Sequence, residues 1–117
     1  MQQVIRPTWA EINLDYLAHN IGQIRRQLAP DCQIIAVVKA DAYGHGSIQI
    51  ARAALAAGAT WLAVSMLDEA VNLRQAGITA PILVMGYTPP EQGAVAARLG
   101  VSLAVYERRG AEGLVEV

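Results

Sequence analysis

Ile34-Ile35-Ala36-Val37-Val38, followed at once by Lys39, is the stretch on which the fold turns. The run is unbroken, apolar and mostly β-branched, which suits a strand covered on both faces, and such strands belong to parallel sheets. On its C-terminal side one theme repeats: a helix from about Ile48 to Ala57 closed by Gly58, a strand at Trp61 to Val64, and a helix from Met66 to Ala76 closed by Gly77. A strand at Ile82 to Met85, a helix to Leu99 closed by Gly100, and a strand at Val101 to Val105 complete the series. Thr88-Pro89-Pro90-Glu91 reads as a full capping box, with Ser65 and Asp68 as a weaker one. On the N-terminal side, Leu14, Leu17, Ile21, Ile24 and Leu28 line one face of a helix that Pro30 stops, with Arg25 and Arg26 suited to its last turn. Thr8 to Leu14 alternates weakly with period two, which predicts a short strand.

Measured from Ile34 to Leu62 to Leu83 to Leu103, the strands recur every 28, 21 and 20 residues, the pitch of βα units rather than of hairpins. Two α/β architectures share that order, an open doubly wound sheet and a (β/α)₈ barrel of about 250 residues. Four consecutive parallel units are close to the first half of such a barrel. Gly110 and Gly113 weaken any helix drawn through Tyr106 to Val117. No linker or low-complexity run divides residues 1–117, so one incomplete barrel domain is expected.

Of the 117 residues, 54% are apolar and 16% charged, which excludes disorder and leaves most of the chain destined for an interior. Nine Lys plus Arg against ten Asp plus Glu give a net charge of −1, so the chain offers no basic field for a nucleic acid or an anionic membrane. The single cysteine, Cys32, is expected as a small buried thiol in a reducing, cytoplasmic setting. The start of the chain has no signal pattern, and the most apolar stretch, Ala53 to Leu67, is interrupted by Gly58 and Thr60.

Everything chemically specific lies in Ala36-Val37-Val38-Lys39-Ala40-Asp41-Ala42-Tyr43-Gly44-His45-Gly46. Lys39 is the only lysine in the chain, and it ends a strand at the C-terminal rim of a parallel sheet, where such folds bind ligands. A partly dehydrated amine there is a nucleophile for a carbonyl group. The residues alone fit equally a lysine that snorkels to solvent past the strand end. Tyr43 sits in a loop that Gly44 and Gly46 free to approach a ligand, or simply packs on the sheet end. Ser47 suits the N-cap of the next helix, whose start is a place for an anion. His45 reads as a satisfied loop histidine and His19 as an exposed helix residue, with no metal-ligand spacing around either. An ion pair of Asp41 with Lys39 depends on the strand continuing past Lys39. Gly44-x-Gly46 is not a dinucleotide fingerprint, because Gln49 stands where Gly or Ala is required, and no Gly-Lys-Ser/Thr ending makes it a phosphate-binding loop.

That eleven-residue segment closely resembles the pyridoxal phosphate attachment segment of the bacterial alanine racemases. Thr8-Trp9-Ala10-Glu11-Ile12-Asn13-Leu14 resembles the opening of the same family. Leu62-Ala63-Val64-Ser65 to Glu69-Ala70 and Ala80-Pro81-Ile82-Leu83-Val84-Met85-Gly86 resemble its next two strands, and the likeness fades after Tyr106. The resemblance implies a barrel in which Lys39 holds pyridoxal 5'-phosphate and then acts as one of two opposed bases on the α-carbon of alanine. It further implies that Tyr43 bonds the cofactor phosphate and that Met85 lies close to the cofactor, although methionine there also reads as plain core. In the family the second base is a tyrosine from the partner subunit of a homodimer, and it has no counterpart in this chain. The later barrel strands, the arginine near the pyridine nitrogen and the C-terminal β domain are likewise without counterpart. Two other readings stand beside a racemase: a pyridoxal phosphate-binding homeostasis protein, against which the Tyr43-to-Gly46 run and the Trp9 segment speak, and a non-catalytic half-barrel.

Overall fold

A computed structural model describes residues 6–115. Helix α1 (Leu14–Gln27) is followed by strand β1 (Ile35–Val37), a short helical turn α2 (Lys39–Tyr43), α3 (Ser47–Ala57), β2 (Trp61–Val64), α4 (Leu67–Gln75) and β3 (Ile82–Val84). A 3₁₀ turn (Pro90–Gln92), α5 (Gly93–Leu99), β4 (Ser102–Leu103) and α6 (Arg108–Val115) complete the order. The four strands form one sheet in the order β1-β2-β3-β4, every pair parallel. Adjacent parallel strands in chain order, with helices between, are what the spacing of the apolar runs predicts.

Register divides the side chains between two faces. Ala36, Leu62, Val64, Ile82, Val84 and Leu103 occupy one set of paired positions, while Ile35, Val37, Trp61, Ala63, Leu83 and Ser102 occupy the other. The first set lies under the helices: Leu62, Val64, Ile82 and Val84 are buried with Ala51, Leu67, Ala70, Leu73, Ile78 and Ala96. Each buried Leu, Val or Ile among them contributes about 1.5–3 kcal/mol by leaving water. The second set faces away from the helices. At its β1 end Ile35 is 46% exposed and Val37 38% exposed in this chain. Among the described residues the helices α3, α4 and α5 pack on the other face.

Other expectations change in detail. Thr8 to Asn13 forms no strand; Trp9 is exposed, and Asn13 instead caps α1, its Oδ1 accepting the N–H groups of Asp15 at 3.0 Å and Tyr16 at 3.1 Å. Only Ile21 of the α1 stripe is buried, against Ala54 and Ala59. Cys32 is exposed rather than buried, because it lies in the turn after Pro30 before the sheet begins. Thr88 does not cap a helix: Pro89 precedes the 3₁₀ turn, and the Thr88 hydroxyl is buried without a hydrogen-bond partner among the described residues. A helix does form at Arg108–Val115 despite its two glycines, and at Gly113 a Cβ would lie 2.8 Å from Pro90 Cγ. The glycine lets α6 close onto the 3₁₀ turn.

Two contacts fix the ends of the sheet. At the N-terminal end, Arg74 on α4 donates to the carbonyls of Ile78, Ala80, Leu99 and Gly100, tying together the segments that enter β3 and β4. At the C-terminal end, Gly86 N–H donates to Ser65 O at 2.8 Å, and a Cβ on Gly86 would stand 2.3 Å from that oxygen. Only glycine permits this approach. Gly86→Ala is therefore expected to force the β2 and β3 ends apart and to cost about 2 kcal/mol or more in urea unfolding, within the range of overpacking penalties. A variant as stable as the parent would contradict the close approach.

Candidate active site

Val38, just past β1, is 1% exposed in the helix-side core, and Lys39 follows it as the first residue of α2, half-buried at the C-terminal end of the strand. Val38 N–H still pairs with Ala63 O at 2.9 Å, so sheet pairing runs to the residue before the lysine. Ser65 directly follows β2 and Met85 directly follows β3, at the C-terminal ends of the next two strands. Lys39, Ser65 and Met85 therefore share one rim. Met85 is half-buried there, its N–H donating to Val64 O at 2.8 Å and its carbonyl accepting the Tyr106 hydroxyl.

The segment after Lys39 is not the flexible loop that two glycines suggest. Ala40, Asp41, Ala42 and Tyr43 all have positive φ, between 50° and 56°, and α2 is one turn of left-handed helix. Its bonds are those of a helix: Ala42 N–H to Val38 O at 3.0 Å and Gly44 N–H to Ala40 O at 3.2 Å. For an L-residue this conformation costs roughly 1–2 kcal/mol each, so the turn persists only because its surroundings over-determine it. The supports are identifiable. Glu69 Oε2 accepts Ala40 N–H at 2.7 Å, Asp41 Oδ1 accepts Ser47 N–H at 2.8 Å, and His45 Nδ1 lies 2.9 Å from Ala42 O. The turn brings the Tyr43 ring beside the amine, with Lys39 Nζ 5.9 Å from the ring centroid, within cation–π range.

The residues singled out by sequence thus divide. Lys39 and Tyr43 meet, and Met85 lies on the same rim two strands away. Tyr43 is 60% exposed rather than packed on the sheet end. Asp41 does not turn to Lys39 but caps α3, so the anion at that helix start is the chain's own carboxylate, and Gly46 rather than Ser47 occupies the N-cap position. His45 is satisfied by the loop as expected. Glu69 carries no chemical motif in the sequence. Its signal was a glutamate at the third position of α4: Glu69 Oε1 accepts the N–H groups of Ser65 at 2.8 Å and Met66 at 2.9 Å, the side-chain half of a capping box one residue later than the Ser65 and Asp68 pair suggests. Among the described residues no cluster of His, Cys, Asp or Glu is placed to hold a metal, and no helix is long and apolar enough to cross a membrane.

The sequence profile described as alanine racemase, N-terminal domain, matches residues 12–117. The chain belongs to the alanine racemase family. It is 52% identical over 106 residues to the alanine racemase of Geobacillus stearothermophilus, an alignment covering 91% of this chain and 27% of that protein. Among solved structures, alanine racemase from Bacillus anthracis with bound L-Ala-P superposes with a TM-score of 0.91 at 45% identity, covering 98% of this chain and 30% of the other. Histidine racemase from Leuconostoc mesenteroides superposes with a TM-score of 0.82 at 34% identity, covering 88% of this chain and 27% of the other. The chain thus spans about a quarter of the length of the racemase it matches at 52% identity. The parallel sheet is the N-terminal part of the family's barrel, and since such barrels carry their helices outside, the helix-free face is the one a closed barrel turns inward.

The Asp41 cap can be tested directly. Asp41→Ala is expected to lower stability by about 1 kcal/mol, the usual worth of a lost helix cap, with Asp41→Asn recovering most of it because an acceptor oxygen remains. Urea midpoints of the two variants check this, and equal losses for both would show that the bond to Ser47 is not what matters.

Proposed function

We propose that the protein carrying this sequence is a pyridoxal phosphate-dependent racemase that interconverts L- and D-alanine, with Lys39 as its catalytic amine. The observation that carries the reading is the delivery of the chain's single lysine to the open, inward rim of a parallel sheet beside a tyrosine. The donor set suits the cofactor: a primary amine for its aldehyde, a phenol for its phosphate, and apolar neighbours in Val37 and Met85. Lys39 and Tyr43 would hold it, with Met85 flanking. Bound there, pyridoxal phosphate supplies the electron sink that stabilises negative charge at the α-carbon of an amino acid.

The chain's own residues account for the rest. Lys39 is half-buried above an apolar strand, so its amine is oriented while still able to exchange protons. Fixed at the strand end, it takes a proton from, or returns one to, the α-carbon on the one face it addresses. The other face needs a second group, and the resemblance assigns that role to a partner subunit of a homodimer. Tyr43 is held by the left-handed turn near the amine, where its hydroxyl would donate to the cofactor phosphate. Alanine is favoured as the substrate because the relatives at 52% identity are alanine racemases.

Reduction of the protein with borohydride after addition of pyridoxal phosphate is expected to attach one cofactor to Lys39, mapped by mass, and none in Lys39→Ala. In D₂O the cofactor-loaded protein is expected to wash deuterium into the α-position of alanine, with a loss of at least about 100-fold in Lys39→Ala, the low end for removing a general base. Label on the N-terminal amine alone, or wash-in that survives the substitution, would overturn the assignment.

A further inference from the structure

Glu69 lies on a different βα unit from Lys39, yet its carboxylate joins the two. Oε1 takes the N–H groups of Ser65 and Met66 at the start of α4, and Oε2 takes the N–H of Ala40, the residue that follows the lysine. The Ala40 bond is 2.7 Å long, at the short end for an N–H donor, as expected for an ionised acceptor. Ala40 is also where the backbone turns left-handed, with φ 50° and ψ 49°. In that conformation the N–H of Ala40 faces α4. A carboxylate with oxygens on both sides is what this junction requires, because all three partners are donors.

We propose that Glu69 is a positioning residue for Lys39: by holding the Ala40 N–H it fixes the left-handed turn and with it the placement of the Lys39 amine beside Tyr43. The importance of that placement for catalysis rests on the racemase reading, whereas the hold itself does not. Glu69→Gln separates the two functions of the side chain. Its amide oxygen can still serve the start of α4, but its NH₂ group meets the Ala40 N–H as a second donor, so the bond to the lysine loop is lost while the cap survives. A residue serving only as a cap would tolerate this change without effect on Lys39.

The test needs no cofactor. Acetylation of Lys39 by a small anhydride is followed by mass at the modified peptide as a function of pH, in the parent chain and in Glu69→Gln, with circular dichroism to verify the fold and hydrogen exchange to read the Ala40 amide. The proposal expects Ala40 to be protected in the parent and at least about tenfold less so in the variant, an equilibrium shift of about 1.4 kcal/mol. It also expects the Lys39 acetylation rate to change about threefold or more, with Glu69→Asp intermediate. Equal acetylation profiles and equal Ala40 protection in parent and variant would overturn it. Should Glu69→Gln fail to fold, the parent decides: a protected Ala40 amide supports the hold, and one exchanging at the rate of an open loop refutes it. Failure of pyridoxal phosphate to label Lys39 in a parent whose Ala40 is protected would sink the racemase reading and leave the role of Glu69 standing.

Discussion

The structure turns on a conflict between local preference and tertiary constraint at Ala40 to Tyr43. L-residues avoid left-handed helical backbone, and here four of them adopt it in succession. Two carboxylates from opposite sides hold the turn: Glu69 grips its first amide, and Asp41 ties its middle to the start of α3. The parallel sheet beneath supplies the anchor, since Val38 is sealed in the core and paired to β2 immediately before the turn begins. Locked at one end and braced at the other, the backbone has little freedom to relax. The side chains it carries are thereby placed rather than merely exposed.

That arrangement links the fold to the chemistry. Strand ends at the rim of a parallel sheet are rigid, while the connections beyond them are the usual seat of catalytic groups. Here the lysine sits at the junction of the two. Its neighbours on the rim, Ser65 and Met85, belong to strands whose spacing is set by sheet pairing and by the contact of Gly86 with Ser65 O. The far end is closed by Arg74, whose guanidinium gathers carbonyls from the segments that enter β3 and β4. Stability contacts at one end and chemical groups at the other are the division expected of a βα barrel.

Much of this was legible in the residues. The β-branched run before Lys39, the glycine stops and the pitch of the strands predict a parallel α/β sheet in chain order, and the family-like segment points to Lys39 and Tyr43. The features that escaped did so for physical reasons. Thr8 to Leu14 alternates like a strand, but Asn13 starts α1 by accepting the N–H groups of Asp15 and Tyr16. Thr88 carries a capping signature, but the two prolines after it start a 3₁₀ turn and leave its hydroxyl buried inside. In Ala40-Asp41-Ala42 only Asp41 is a residue that tolerates left-handed backbone, and the partner of the Ala40 amide, Glu69, lies 29 positions further along the chain. Single-residue propensities cannot register a constraint that arises only after β1 and β2 have paired.

Inverting the chirality of one residue probes this constraint most directly. A chemically synthesised chain with D-alanine at position 40 keeps the methyl group and the amide but favours positive φ, and Ala40 is exposed, so no core contact changes. If the turn is left-handed and strained, the D-residue raises stability by about 1 kcal/mol in urea unfolding. If instead Ala40 occupies ordinary right-handed or extended backbone, the same substitution lowers stability by a similar amount, and the account of how Lys39 is placed is wrong.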